Sequence, residues 1–151
     1  MRNIFFFLLQ PGIVAGLIPY MLISRRTGLR HPVNSVTDAL ALLLFFTGLG
    51  LLCYCIVLFI VHGKGTLSPA DPTRQLVVTG VYSYTRNPMY LAVTLMLAGE
   101  ALYFSSGVLL VYAVAVFIAF HLFIVLHEEP RLRRDFGDQY TAYTDKVRRW
   151  L

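Results

Sequence analysis

Apolar residues in this chain are gathered into long blocks, and polar residues are confined to the stretches between them. Three blocks stand out, at residues 4–23, 36–61 and 90–126. The first two are each about 20 residues or longer, enough to cross a ~30 Å hydrocarbon layer at ~1.5 Å per residue. The third is too long for one crossing. Tyr103-Phe104-Ser105-Ser106-Gly107 divides it with small polar residues and a glycine suited to a tight turn. The pattern therefore predicts helices over about 88–104 and 107–128, joined as a hairpin. The expected fold is all-α and integral to the membrane, with about four transmembrane helices and a helical segment after the hairpin on the cytoplasmic side. Residues 1–62 are read as anchor helices and 63–151 as the functional core.

The first block is read as a retained helix rather than a cleaved leader. Its charged start is Arg2 alone, Gln10-Pro11-Gly12 interrupts the apolar run, and no small-x-small pattern follows before Arg25. A proline kink is tolerated in a membrane helix.

Composition supports the membrane reading. Of 151 residues, 57% are hydrophobic and 14% charged, with a mean hydropathy of +0.65. Soluble domains carry about 25% charged residues. With four crossings, Arg2, Lys64, Arg74, Arg86, Arg131, Arg133, Arg134, Lys146, Arg148 and Arg149 fall on one side, and Arg25, Arg26 and Arg30 on the other. The majority side is expected to be cytoplasmic, although the Arg25–Arg30 cluster argues the other way. This places the protein in the inner or cytoplasmic membrane with its working face inward. The net charge of +5 fits anionic lipid headgroups better than nucleic acid, because no compact basic domain is left over. Cys53 and Cys55 lie two apart in an apolar helix and point to different faces. They read as small apolar fillers, neither a disulfide nor a metal pair.

The loop 62–88 carries most of the polar chemistry. His62-Gly63-Lys64-Gly65-Thr66 lacks the spacing of a phosphate-binding loop. Pro69, Asp71 and Pro72 keep the next residues extended. Leu76-Val77-Val78 is too short to span anything and is expected to fold back on the helices. Next comes Arg86-Asn87-Pro88-Met89-Tyr90. Pro88 suits a first helical turn, and Asn87 before it suits the N-cap. The free N–H groups of that turn, with the positive end of the helix dipole, would also suit a carboxylate. Glu128 and Glu129 close the last apolar block at near-membrane depth, where carboxylates are costly and usually functional. Arg131, Arg133 and Arg134 follow at once, so an ordinary helix end with local ion pairs fits the same residues.

Taken together, these pieces resemble the isoprenylcysteine carboxyl methyltransferase family of integral membrane methyltransferases, which are related to the phospholipid methyltransferases. The resemblance covers roughly residues 63–150. It rests on Leu76-Val77, Gly80-Val81-Tyr82, Arg86-Asn87-Pro88-Met89-Tyr90, the hydrophobic hairpin and Glu128-Glu129. It continues through Phe136-Gly137-Asp138-Gln139-Tyr140-Thr141-Ala142-Tyr143 and Val147-Arg148-Arg149.

What the resemblance implies is methyl transfer from S-adenosylmethionine to a lipophilic acceptor. Leu76, Val77, Tyr82, Asn87, Pro88, Met89, Tyr90 and Glu128 would line the cofactor pocket, which the C-terminal segment would close. Arg86, Glu128 and Glu129 are the candidate catalytic residues, with no metal. Two positions depart from the family. Asn87 stands where histidine is commoner. Ile124 stands where prenylcysteine-modifying members carry an arginine for the acceptor carboxylate.

His121, seven residues before Glu128, falls on nearly the same helix face and, with Ile124, is a candidate for the acceptor side. A hydrogen bond to a neighbouring helix backbone is the plainer role for His121. Glu100 lies ~15 Å along the helix from Tyr90 and is not assigned to the site. A carboxylate acceptor needs no general base, whereas an amine or hydroxyl must lose a proton, for which Glu128, Glu129 and His121 are the candidates. The favoured reading is a carboxyl O-methyltransferase acting on an isoprenylcysteine-like molecule. The alternatives are a phospholipid or amine N-methyltransferase, an NADPH-dependent reductase of the sterol-reductase type, and a non-catalytic scaffold. The implied partners are the bilayer and a lipophilic small molecule; the oligomeric state is left open.

Overall fold

The computed structural model describes residues 11–24, 35–62 and 76–150. The expected start of the first helix, the Arg25, Arg26 and Arg30 cluster, and loop residues 63–75 lie outside the described residues. A π turn over Ile13–Leu17 leads into α1 (Ile18–Ser24), and α2 spans Ser35–His62. A 3-10 turn at Gly80–Ser83 precedes α3 (Pro88–Tyr103) and α4 (Gly107–Phe123). A second π turn, Ile124–Glu128, joins α4 directly to α5 (Glu129–Lys146). Among the described residues there is no strand, only an isolated parallel bridge between Thr85 and Arg148.

Among the described residues two helices are long and apolar enough to cross a membrane. One is Val36–Val61, of 26 residues, and the other Gly107–Lys146, of 40. Only 22% and 17% of their apolar windows are buried inside the fold. A core helix of a soluble protein is mostly buried, so these surfaces face lipid. Leu43, Phe46, Val57 and Ile60 of α2, with Val111, Val114 and Ile118 of α4, are among the exposed large apolar residues. Up to Gly137, where the backbone leaves helical geometry, the second helix runs ~45 Å at ~1.5 Å per residue, already longer than one crossing needs. Its apolar part ends near Leu126, and from Glu129 onward its sequence is polar. The expected pair of helices at 88–104 and 107–128 is thus observed with its turn at 104–106, but the second continues through the π turn into α5, which kinks at Gly137 (φ 50°, ψ −121°). The helices at Ile13–Ser24 and Pro88–Tyr103 are shorter, so the described residues show two full-length spans where the sequence predicts four.

The hairpin turn has a local cause. Ser105 adopts positive φ (45°), and Ser106 Oγ accepts a hydrogen bond from Leu109 N at 3.4 Å, capping α4. The tightest packing is between α2 and α3, where glycines let backbones meet. A Cβ on Gly48 would lie 2.6 Å from Ala92 O, and one on Gly99 would lie 2.7 Å from Ala41 O. Ala92, Val93, Met96 and Leu97 of α3 fill the core beside this contact with Leu52 of α2. Tyr112 of α4 donates to the Val14 carbonyl at 2.9 Å, tying in the first π turn.

Because the atoms met at Gly48 and Gly99 are backbone, they have no room to yield. Gly48→Ala and Gly99→Ala should each lower thermal stability in detergent by several degrees, an overpacking cost of about 1–3 kcal/mol. Gly50→Ala is the control, since nothing lies within 4 Å of its Cβ. Circular dichroism melts that moved equally for all three variants would contradict the α2–α3 contact.

Candidate functional site

The chain entering α3 is pinned on two sides. Val77 and Tyr82 are buried against Cys55 and Leu58 of α2, and the Tyr82 ring meets Phe59 edge-on at 5.3 Å. Leu76 packs instead against the Tyr140, Tyr143 and Val147 cluster after the membrane helix. Tyr143 Oη donates to the Tyr82 carbonyl at 2.6 Å. The short run 76–78 therefore does fold back onto the helices, with its neighbours on opposite flanks.

Pro88 opens α3, where its missing N–H costs nothing. Asn87, expected to cap this helix, does not: no side-chain cap bond forms. Its Nδ2 donates to the Arg149 carbonyl at 3.0 Å. Thr85 Oγ1 donates to the same carbonyl at 3.2 Å, and Arg86 N donates to the Arg148 carbonyl at 3.0 Å. The segment after α5 lies here, and its partly buried backbone acceptors take these donors. That pairing, not the helix end, claims the Asn87 amide.

The paired glutamates part company. Glu128 Oε2 accepts a hydrogen bond from Tyr90 Oη at 2.8 Å. Glu129 is gripped by arginines: Arg149 Nε lies 2.7 Å from Oε1, Arg149 Nη2 lies 3.0 Å from Oε2, and Arg86 Nη1 lies 3.3 Å from Oε1. The π turn accounts for the division. It inserts one extra residue into the helical ladder, so the position two turns beyond His121 is Glu129 rather than Glu128. Both carboxylates are thereby turned to the protein side. Burial alone would raise the Glu129 carboxyl. The hydrogen bond from Arg149 and the charges of Arg86, Arg149 and Arg133 outweigh it and hold the group below its ordinary value. The same bond raises the Arg149 guanidinium. Fork-to-fork pairing of this kind fixes geometry as well as charge.

The acceptor-side candidates are also placed. Ile124, the first residue of the π turn, is 1% exposed. His121 Nδ1 accepts a hydrogen bond from the Trp150 indole at 3.3 Å, so its partner is a side chain rather than the helix backbone. Met89 packs into the clusters on both sides of it. Glu100 has a buried oxygen with no partner among the described residues, towards the other end of α3.

Direct contacts therefore join Tyr90 to Glu128 and Arg86 to Glu129. Asn87 joins the strap at residues 147–150, while Leu76, Val77 and Tyr82 support the loop. The residues not nominated from the sequence are Thr85, Tyr143 and Trp150, with Arg149 noted only as part of a basic tail. Their partners are some 20 to 64 residues away, a separation that no local pattern encodes. An open cleft of about 420 Å³ lies between the 3-10 turn and α5, lined by Ser83, Gln139, Tyr143 and Lys146 among others. None of the nominated residues lines it. Among the described residues no group of three metal-ligating side chains is present.

The depressed Glu129 carboxyl gives a pH signature. Its stabilising effect is present above the ordinary value of 4.5 and is lost as pH falls through the lower folded value. Fluorescence of Trp150, the one tryptophan of the chain, should stay constant down to that value and change below it as Arg149 is released. Glu129→Gln should abolish the transition and show the loosened signal already at neutral pH.

The geometry can be set beside known proteins. A family model described as phospholipid methyltransferase matches residues 36–139, which covers α2, the loop, the hairpin and the glutamate pair. An uncharacterized protein of Haemophilus influenzae is 33% identical over 63 residues, which is 42% of this chain and the whole of that protein. No solved structure matches. On the extent of the family match, the chain belongs to the phospholipid methyltransferase family of membrane methyltransferases.

Proposed function

We propose that the protein transfers the methyl group of S-adenosylmethionine to a lipophilic acceptor at the Tyr90–Glu128 pair. The observation that carries this reading is the contact itself. Residues from the two separated motifs, 38 positions apart, meet at 2.8 Å within the span of the family match. The residues present fit the cofactor. Arg86 Nε is buried without a hydrogen-bond partner, and an unpaired buried donor costs about 1–3 kcal/mol. The carboxylate of a methionine moiety would satisfy it. Glu128 is suited to a ribose and to a positively charged sulfur, by hydrogen bonds and by charge.

When bound, the cofactor supplies a methyl group already activated by its sulfonium. The protein's task is then alignment and exclusion of water. Tyr90 orients Glu128 through its hydroxyl. Glu129, held ionised between two guanidiniums, makes a poor base and acts as the anchor for Arg86 and the strap. We place the working face on the cytoplasmic side, where the basic residues of α5 and the strap meet anionic headgroups.

Among acceptors, an amine-bearing lipid headgroup fits better than the prenylcysteine carboxylate favoured from the sequence. Ile124 is apolar and buried where a carboxylate-binding arginine would be needed, and the Arg149 guanidinium is taken up by Glu129. An amine must lose a proton, and Glu128 is the carboxylate placed to take it.

Calorimetry in detergent tests the reading. The protein should bind S-adenosylmethionine and S-adenosylhomocysteine and not NADPH; the reverse result would sink it. Glu128→Gln should weaken S-adenosylmethionine binding by about 1–3 kcal/mol, and S-adenosylhomocysteine less, because its sulfur is neutral. Ile124→Ala should leave cofactor affinity almost unchanged. Labelled S-adenosylmethionine should mark amine lipids in a membrane extract and spare prenylcysteine analogues. Efficient labelling of such an analogue would restore the carboxylate reading.

A further inference from the structure

The strap carries one large aromatic side chain that takes no part in the pairing of the glutamates. Trp150 directly follows the basic pair Arg148-Arg149, yet its indole lies against the apolar helix α4. Its Nε1 donates to His121 Nδ1 at 3.3 Å, and its ring centroid is 4.9 Å from that of Phe117. The His121 ring is stacked with it at 28° and 6.2 Å. Phe117 and His121 are one turn apart, on the bilayer side of Ile124. Beside them Phe120 packs against Tyr90, centroids 4.8 Å apart, and Tyr90 holds Glu128. A row of rings thus leads from the apolar length of α4 to the paired carboxylates.

We propose that Trp150 is a specificity-determining residue for the lipophilic acceptor. With Phe117 and His121 it forms the wall along which the acceptor's hydrocarbon chain lies while its reacting group reaches Glu128. The proposal rests on the methyl-transfer reading of the same site. An indole suits this place, since its polar edge is satisfied by His121 and its face is left apolar. The mode of attachment matters too. Arg149 is held by two charge-assisted bonds and by the pairing of its backbone with Thr85 and Asn87. Trp150 is held by one neutral bond and ring contacts. The ring can therefore turn to admit a chain while the strap stays docked, and the residue can be changed without freeing Arg149.

The test uses the full chain in phosphatidylcholine vesicles whose acyl chains carry bromine near the headgroup. Tryptophan fluorescence reports Trp150 alone, and it should be quenched. Trp150→Ala should raise the acceptor KM about five- to tenfold, the scale of a lost aromatic contact, and broaden the chain lengths methylated in a lipid extract. Its kcat and its S-adenosylhomocysteine affinity should stay near those of the unmodified protein. Trp150→Phe keeps a ring and loses the His121 bond; it should shift the same profile by a smaller factor, and it serves if the alanine variant does not fold. A chain that binds no S-adenosylhomocysteine overturns the cofactor reading and this proposal with it. A chain that binds it overturns this proposal alone if Trp150 is not quenched, if the acceptor profile of both variants is unchanged, or if cofactor affinity falls as KM rises.

Discussion

The architecture of the site depends on a single buried carboxylate. Glu129 sits where an apolar helix leaves the membrane, with its side chain only 11% exposed. An ionised group there is tolerated only if it is paired and hydrogen-bonded. The two guanidiniums that pair with it come from opposite ends of the site: Arg86 from the loop that enters α3, and Arg149 from the strap that follows α5. One carboxylate therefore fixes the loop, the long helix and the strap relative to one another. Removing Glu129 would leave the buried Arg86 without its ion-pair partner, and removing both arginines would leave a buried carboxylate uncompensated, a penalty that exceeds what a surface ion pair contributes.

The backbone reinforces what the charges begin. Arg86 N, Thr85 Oγ1 and Asn87 Nδ2 all donate into the carbonyls of Arg148 and Arg149. A strand-like contact between a loop and a strap is thereby built without a sheet. It leaves the first turn of α3 bounded by Pro88 on one side and the strap on the other. Asn87, which a local reading assigns to helix capping, serves instead to hold the strap. Arg86 Nε beside it is buried without a hydrogen-bond partner.

Much of the fold was legible because lipid imposes a simple code. Blocks 36–61 and 90–126 had to be helical, and Ser105-Ser106 had to break the second. The site motifs were legible as well, since Tyr90, Arg86 and the glutamates stand out against apolar surroundings. Three features were hidden. The π turn Ile124–Glu128 has no compositional mark, yet it decides which glutamate faces which partner. Asn87 carries a strong capping preference that tertiary demand overrides. The partner of Glu129 lies 20 residues on, among several arginines of equal local merit, and only three-dimensional closure selects Arg149. Helix length was misjudged for a related reason. The change from apolar to polar at Glu129 marks the membrane boundary but does not end the helix.

The two glutamates also illustrate how adjacent residues of one type acquire different roles. Their chemistry in isolation is the same, so environment must distinguish them. Glu129 meets fixed positive charge and stays ionised, which suits it to hold structure and unsuits it to exchange protons. Glu128 meets a neutral phenol, a partner that orients it without fixing its charge. A one-residue insertion in the helix ladder makes this separation, for without it only one of the pair would face inward. For the methyl transfer proposed above, with its cationic donor, one carboxylate has to stay available to the reacting groups. The clasp on Glu129 occupies the Arg149 guanidinium, while Glu128 accepts from the Tyr90 hydroxyl.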